Sequence, residues 1–365
     1  MKTVNIGLVG SQFVSEIHAT SLQSVAGAKV LAVASPTEAH VTEFAQRFQI
    51  PHAYTDYRKL LEMPEIDMIA IGAPNSVHAE ITLAAAQAGK HVVLEKPMAM
   101  NLAEADAMLA EAKQANIKLM YAEELCFTPK YVRLKQLADS GALGDIYLVK
   151  QSEKHDGPHT AWFWDVEKSG GGVTMDMGCH AFLFFLWFYQ WERPESILAD
   201  MSTWMHADKT HGDDDAVIVV TFPGGRRAIA EESWSRKGGM DDRSEVFGDK
   251  GCSYANLHMG NALQTYSEVG YDYVVEKAPV STGWSYTIYE ELWNYGFPQE
   301  FAHFVECVRD DKQPLVTGEH GRIALEMVFA AYASAGRNAR VAFPFETDAK
   351  RPIDLWKPQR GLLGL

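Results

Sequence analysis

The sequence lacks the features that would place it outside the cell or on a polyanion. Its four cysteines, Cys126, Cys179, Cys252 and Cys307, are scattered and form no CxxC pair. Their spacing encodes neither a disulfide framework nor a thiolate zinc site, and reduced thiols are expected. Lys and Arg number 33 against 48 Asp and Glu, a net charge of −15. No basic run is present to track phosphates, so nucleic acid and anionic membrane are excluded as expected partners. Long hydrophobic runs are missing too: the longest, Ala181 to Tyr189, falls far short of the roughly 20 residues that span a bilayer. The chain opens with Met1 to Ile6, directly into an apolar strand, without the basic and apolar regions of a signal peptide. A cytoplasmic protein is the expectation.

What is present suits two folded domains. A chain of 365 residues, 47% hydrophobic and 22% charged, is too long for one ordinary core and has the composition of a globular protein. In the first third, short apolar runs (Val4–Val9, Lys29–Ala34, Asp67–Ile71, His91–Leu94 and Lys118–Ala122) alternate with helical patterns. Strands apolar throughout, separated by amphipathic helices, predict a parallel sheet covered on both faces. After about residue 124 the pattern changes to hairpins. Ala216–Phe222 and Arg227–Trp234 flank a Pro223-Gly224-Gly225 turn, and Glu245–Phe247 and Cys252–Tyr254 flank Gly248-Asp249-Lys250-Gly251. The expected architecture is an α/β domain over residues 1–123, followed by an α+β domain over 124–365 with a large, mostly antiparallel open sheet. Helices are expected at Thr174–Trp187, Gln299–Arg309 and Gly318–Ala335.

Three motifs carry chemistry. The turn after the first strand runs Gly7-Leu8-Val9-Gly10-Ser11-Gln12-Phe13-Val14-Ser15. It keeps the first glycine of a dinucleotide fingerprint, with Gln12 and Ser15 in place of the other two. Ala73-Pro74-Asn75-Ser76-Val77-His78 lies at the carboxyl end of a parallel strand, where open α/β sheets bind ligands. Glu95-Lys96-Pro97 is delivered to the same edge by the next strand. A buried strand ending in a charged lysine is hard to explain by packing alone.

These motifs, in this order, resemble those of the Gfo/Idh/MocA oxidoreductases: a glycine turn, Pro-Asn-x-x-His and Glu-Lys-Pro. A further segment of that resemblance is Gly170-Gly171-Gly172-Val173-Thr174-Met175-Asp176-Met177-Gly178-Cys179-His180. The resemblance implies a Rossmann domain and a substrate domain, with the Asp-x-x-x-His pair joining the lysine in the active site. By itself the segment places Asp176 and His180 at i and i+4, which on a helix is one face. Gly170–Gly172 allow close approach of a ligand to backbone.

Oxidising a secondary alcohol takes a proton from oxygen and a hydride from carbon. The expected catalytic set is therefore Lys96, Asp176 and His180. His180 takes the proton, Lys96 polarises the oxygen and Asp176 fixes the geometry, although the lysine and histidine roles can be exchanged. Expected cofactor contacts are Gly10, Gln12, Phe13, Val14, Ser35, Ala73, Pro74, Asn75, His78, Glu95 and Lys96. The second strand ends Ala34-Ser35-Pro36-Thr37, without a basic residue for a 2′-phosphate. NAD is preferred on that ground, with NADP as the alternative.

Expected substrate contacts are Glu123, His155, His159, Trp162, Trp164, Asp176 and His180. The imidazoles, carboxylates and indoles of Glu153–Asp165 suit a pyranose, and the family resemblance of this segment implies oxidation of a sugar or glycoside, with the 3-hydroxyl as one candidate position. No metal site is expected, although His155-x-x-x-His159 beside Glu153 and Asp156 is an alternative ligand set. Rival readings are an NADPH-dependent sugar reductase and a catalytically silent nucleotide or sugar sensor. A homo-oligomer, dimer or tetramer, is expected through the open sheet, whose free face would carry Val217, Val219 and Trp234 or their alternates.

Overall fold

The computed structural model describes residues 2–258, 263–269, 282–287 and 291–357. Two units emerge, one comprising Met1–Phe127 with Gly296–Leu325, the other Thr128–Tyr295 with Glu326–Leu365. The segment Gly296–Leu325, which the sequence pattern assigned to the second domain, thus packs with the first.

In the first unit, strands and helices alternate as the apolar runs require. The order is β1 (Val4–Val9), α1 (Phe13–Gln23), β2 (Ala28–Ala34), α2 (Glu38–Phe48), β3 (His52–Tyr54), α3 (Arg58–Leu61), β4 (Met68–Ile71), α4 (His78–Gln87), β5 (His91–Leu94), α5 (Leu102–Gln114) and β6 (Leu119–Tyr121). All six strands are parallel in the order β3-β2-β1-β4-β5-β6. This is the doubly wound dinucleotide-binding topology, with its switch point between β1 and β4. Strand β3 has no apolar signature, because His52 and Ala53 are exposed and Tyr54 is only half-buried at the sheet edge.

The returning helix Phe297–Arg309 explains the placement of Gly296–Leu325. Its Phe301, Phe304 and Val305 recur at helical spacing and join the core made by Ile6, Leu8, Ala19, Leu22, Met68 and Val93. The ring of Phe301 meets the ring of His18 on α1 edge-on at 4.7 Å.

The second unit opens with α6 (Pro129–Asp139) and β7 (Ile146–Lys154), followed by α7 (Val166–Ser169), α8 (Val173–Asp176) and α9 (Gly178–Phe188). Strands β8 (Ser196–Ser202), β9 (Asp215–Thr221), β10 (Arg227–Ser233), β11 (Asp241–Gly248) and β12 (Gly251–Asn256) come next. A separate antiparallel pair, β13 (Leu263–Ser267) and β14 (Gly283–Thr287), precedes the short β15 (Val341–Ala342). The seven-stranded sheet runs β12-β11-β7-β10-β9-β8-β15, antiparallel throughout except for β7 beside β10.

Its inner face buries Val149, Ile218, Val220, Ala228, Ala230 and Val246, and every residue of α9 is buried. The other face leaves Leu198 and Val217 exposed, with Val219 and Ile229 half-buried. Trp234, expected on that free face, is instead completely buried at 0% exposure. Strand alternation explains the difference: Ala228, Ala230, Glu232 and Trp234 share the inner parity of the β10 segment.

Candidate active site

In the first unit, the glycine turn after β1 brings three backbone segments close together. Gly10 has φ +120°, a conformation that side chains rarely adopt, and a Cβ there would collide with the Gly72 carbonyl and Ser15 Oγ. Gln12, at a fingerprint glycine position, has ordinary extended backbone and begins α1 as its N-cap without a side-chain cap bond. Its departure from glycine is therefore sterically free. Ser15, at the other position, is buried beside Gly10 and Gly72, so its small side chain fills the space where helix and strands approach. The start of α1 has no side-chain cap, with Phe13 exposed and Val14 half-buried, and a helix N-terminus of this kind can accept an anion such as a pyrophosphate. Ser35 follows β2 and donates its backbone N–H to Tyr54 O at 3.0 Å. These residues fit the cofactor that the sequence implied.

The Pro-Asn and Glu-Lys-Pro turns are tied together by one histidine. His78 is fully buried, with Nδ1 2.9 Å from Pro97 O and Nε2 2.8 Å from Ala73 O. Burial pushes its pKa down, against the pull of these carbonyls. One buried imidazole thus lies within hydrogen-bond distance of a carbonyl from each turn, tying Ala73 to Pro97. Glu95 is similarly engaged. Its Oε1 lies 2.8 Å from His18 Nε2, and its Oε2 accepts the backbone N–H of Lys96 at 3.1 Å. The carboxylate thereby fixes the backbone from which Lys96 projects.

The carboxyl of Glu123, just after β6, lies within the electrostatic reach of Lys96. Glu123 is fully buried and donates its backbone N–H to Glu300 Oε1 at 2.6 Å. Burial raises the Glu123 carboxyl well above the usual range, while the charge of Lys96 pulls it down. Burial also raises Glu300, with Glu124 and Glu95 adding to the effect. Glu300 was absent from the expected site. Its signal, a glutamate between apolar positions of an amphipathic helix, gives no hint of which strand end it reaches.

In the second unit, the glycine run has a different cause from the one expected. A Cβ at Gly171 would collide with the Tyr332 hydroxyl, and one at Gly172 with the Asp213 backbone. These glycines thus admit neighbouring protein rather than ligand. Gly170 adopts φ +87° as the C-cap of α7. The single expected helix is also broken: Met177 separates α8 from α9, with a 45° bend between Val166–Asp176 and α9. Asp176 ends one helix and His180 lies in the first turn of the next, so the two do not share a single helical face as expected. Both are nearly buried.

Trp234 links Asp176 to a cluster of aromatic and acidic side chains. The Trp234 indole N–H donates to Asp176 Oδ2 at 3.3 Å, and Cys179 Sγ donates to Asp176 O at 3.1 Å. Trp164 meets Trp234 edge-on at 5.4 Å and packs against His206 at 4.9 Å. Asp214 accepts the backbone N–H groups of Trp204, Met205 and His206. Trp162 stacks on Phe163 at 3.9 Å. His155 and His159 lie ring to ring at 4.8 Å, with His155 Nδ1 2.7 Å from Gly157 O. Among the described residues, no third ligating side chain joins those two imidazoles into a metal cluster.

Sequence reasoning missed Trp234, which bonds Asp176, and Asp213, which bonds the amides that begin α8, as well as the buried carboxylates Asp214, Glu232 and Asp242. Glu153 pairs across strands with Glu232 and Asp242 on the buried face. A glutamate at the inner parity of β10 was a legible anomaly. Burial, with Asp242 next, holds the Glu232 carboxyl well above its usual range.

Comparison with known proteins agrees with this geometry. Residues 4–123 match the oxidoreductase family with an NAD-binding Rossmann fold, and residues 131–253 match the GFO/IDH/MocA C-terminal domain. Myo-inositol 2-dehydrogenase of Thermotoga maritima is 28% identical over 334 residues, 91% of this chain and 96% of that protein. The scyllo-inositol 2-dehydrogenase (NAD(+)) of Bacillus subtilis is 26% identical over 352 residues, covering 95% and 97%. The crystal structure of GenD2 from gentamicin A biosynthesis, in complex with NAD, superposes with a TM-score of 0.89 at 25% identity, covering 94% of this chain and 97% of that one. The chain belongs to the Gfo/Idh/MocA oxidoreductase family, with an NAD-binding Rossmann domain and an activity directed at CH–OH groups.

Proposed function

We propose that this enzyme oxidises a ring secondary hydroxyl of a sugar, glycoside or cyclitol, with the 3-hydroxyl of a pyranose as the first candidate position. The observation that carries the reading is the buried Asp176, held by the Trp234 indole and followed after one linking residue by the helix that bears His180. The inositol dehydrogenases among its relatives support a polyhydroxylated ring as substrate. Lys96, Asp176 and His180 act together on one bound hydroxyl.

His180 accepts the hydroxyl proton as general base, and the Lys96 ammonium stabilises the developing alkoxide. Asp176 orients the imidazole and favours its protonated form. NAD, when bound, would supply the acceptor for the hydride lost from the ring carbon. Gly10, Gln12, Phe13 and Val14 would hold the pyrophosphate, and Ser35, flanked in sequence by Ala34, Pro36 and Thr37 without a basic residue, would lie toward the adenosine ribose. His159, Trp162 and Trp164 offer one imidazole and two flat indole faces for sugar hydroxyls and C–H surfaces.

The proposal extends to assembly. A second copy of the chain covers the exposed apolar positions Leu198 and Val217 on the outer sheet face. The activity is tested by following nicotinamide absorbance with NAD or NADP across sugars, glycosides and cyclitols. Oxidation of a ring polyol with NAD is expected. Tight NAD binding without turnover on any of them sinks the reading in favour of a sensor.

A further inference from the structure

The catalytic segment is held from a distance by a carboxylate outside every motif. Helix α8 has only four residues and no side-chain cap of its own. So short a helix is marginal, and its first amides need acceptors. One residue, Asp213, provides three. Its Oδ1 accepts the Gly172 N–H at 3.1 Å, its backbone oxygen accepts the Val173 N–H at 2.8 Å, and its Oδ2 accepts the Thr174 N–H at 2.9 Å. Tyr332, from the helix Gly318–Arg337, completes the clamp. Its hydroxyl donates to Asp213 Oδ1 and accepts the Gly172 N–H at 2.8 Å. Asp213 and Tyr332 are fully buried.

The two glycines leave room for this clamp and for no side chain, as their collisions with Tyr332 and Asp213 show. Asp176 is the last residue of the clamped helix, and only Met177 separates it from α9. We infer that Asp213, with Tyr332, is a positioning residue: by fixing α8 it sets where the Asp176 carboxylate stands relative to His180. Neither clamp residue touches the reacting atoms. This inference rests on the catalytic reading of Asp176 and His180 given above.

Asp213→Asn tests it, with NAD-binding sites titrated so that turnover is counted per folded molecule. An amide at this position keeps one oxygen but turns an NH₂ toward backbone donors. Turnover per NAD site should fall about 10- to 100-fold, as misplacement of a catalytic group costs. Affinity for NAD should be retained, and the ionisation in the pH–kcat profile should move, because the field of Asp176 at His180 has changed. A purely structural role would lower the melting temperature and leave both turnover per site and pH profile at parental values, and that result overturns the inference. Should Asp213→Asn fail to fold, Tyr332→Phe takes its place. It keeps the carboxylate, so the same change in turnover and pH profile is expected on a smaller scale, and parental values in both again overturn the clamp. A parent that turns over no polyol defeats the catalytic assignment of Asp176 and His180 and the clamp with it. That outcome is distinct from an active parent with an unaffected variant, which defeats the clamp alone.

Discussion

Trp234 donates its indole N–H to the carboxylate of Asp176 at 3.3 Å, across 58 residues of sequence. A hydrogen bond to a charged group contributes about 1.5–3 kcal/mol. If that orientation is used in the transition state, Trp234→Phe lowers kcat on the order of 10- to 100-fold. The phenyl ring keeps most of the packing against Trp164 and Phe163, so the folded fraction should be little changed. Steady-state kinetics beside a thermal melt separates the two effects; unchanged kcat removes Trp234 from the catalytic apparatus.

Lys96→Ala should abolish polyol turnover while NAD still binds, because the proposed pyrophosphate site is backbone at the start of α1. His180→Ala should cost about 10²–10⁴-fold, the usual loss on removing a positioned general base. It should also remove one ionisation from the pH–rate profile. Near-parental activity in either variant contradicts the assigned roles.

Gly10→Ala forces a Cβ into a backbone conformation at φ +120° and against the Gly72 carbonyl. Strain of this kind costs about 1–3 kcal/mol. The variant should melt lower and bind NAD more weakly, read by tryptophan fluorescence on titration with NAD. Parental NAD affinity in the variant would show that the turn does not approach the cofactor.

Glu300 supplies a prediction about pH. Burial raises its carboxyl pKa well above the usual range, with Glu124 and Glu95 contributing. The folded state therefore holds the proton to higher pH than the unfolded chain, whose glutamates titrate near about 4.3. The contribution of this group to stability is full below the unfolded value and is lost as pH rises through the folded one. Glu300→Gln keeps an oxygen for the Glu123 N–H and cannot ionise. Its melting temperature should exceed the parent's at pH 8, with the margin shrinking toward pH 5. Parallel melting curves across that range would contradict a raised pKa at Glu300.

Leu198→Glu or Val217→Glu places charge on the exposed sheet face. Light scattering should show a dimer or tetramer for the parent and smaller species for the variants. A monomeric parent at working concentration rules out the proposed assembly.

The sequence by itself determined the class of both domains, because strand and helix periodicity are local properties. It also located the residues of each motif, since Gly10, Pro74–Asn75, Glu95–Lys96 and Asp176–His180 stand in short stretches whose chemistry is visible in the side chains. Tertiary structure decided what surrounds them. Trp234 reaches Asp176, Asp213 caps α8, and Glu300 meets the Glu123 amide across 177 residues of chain. Only the folded chain fixes such pairs, because each depends on where a distant strand or helix docks. The same holds for Gly296–Leu325. Its apolar stripe marks a face that must be buried, but which core receives it is settled by long-range packing, here against His18 and the β1–β4 core. The glycines of Gly171-Gly172 make the point at one position: the sequence shows that space is needed there, and the fold shows that Tyr332 and Asp213 take it.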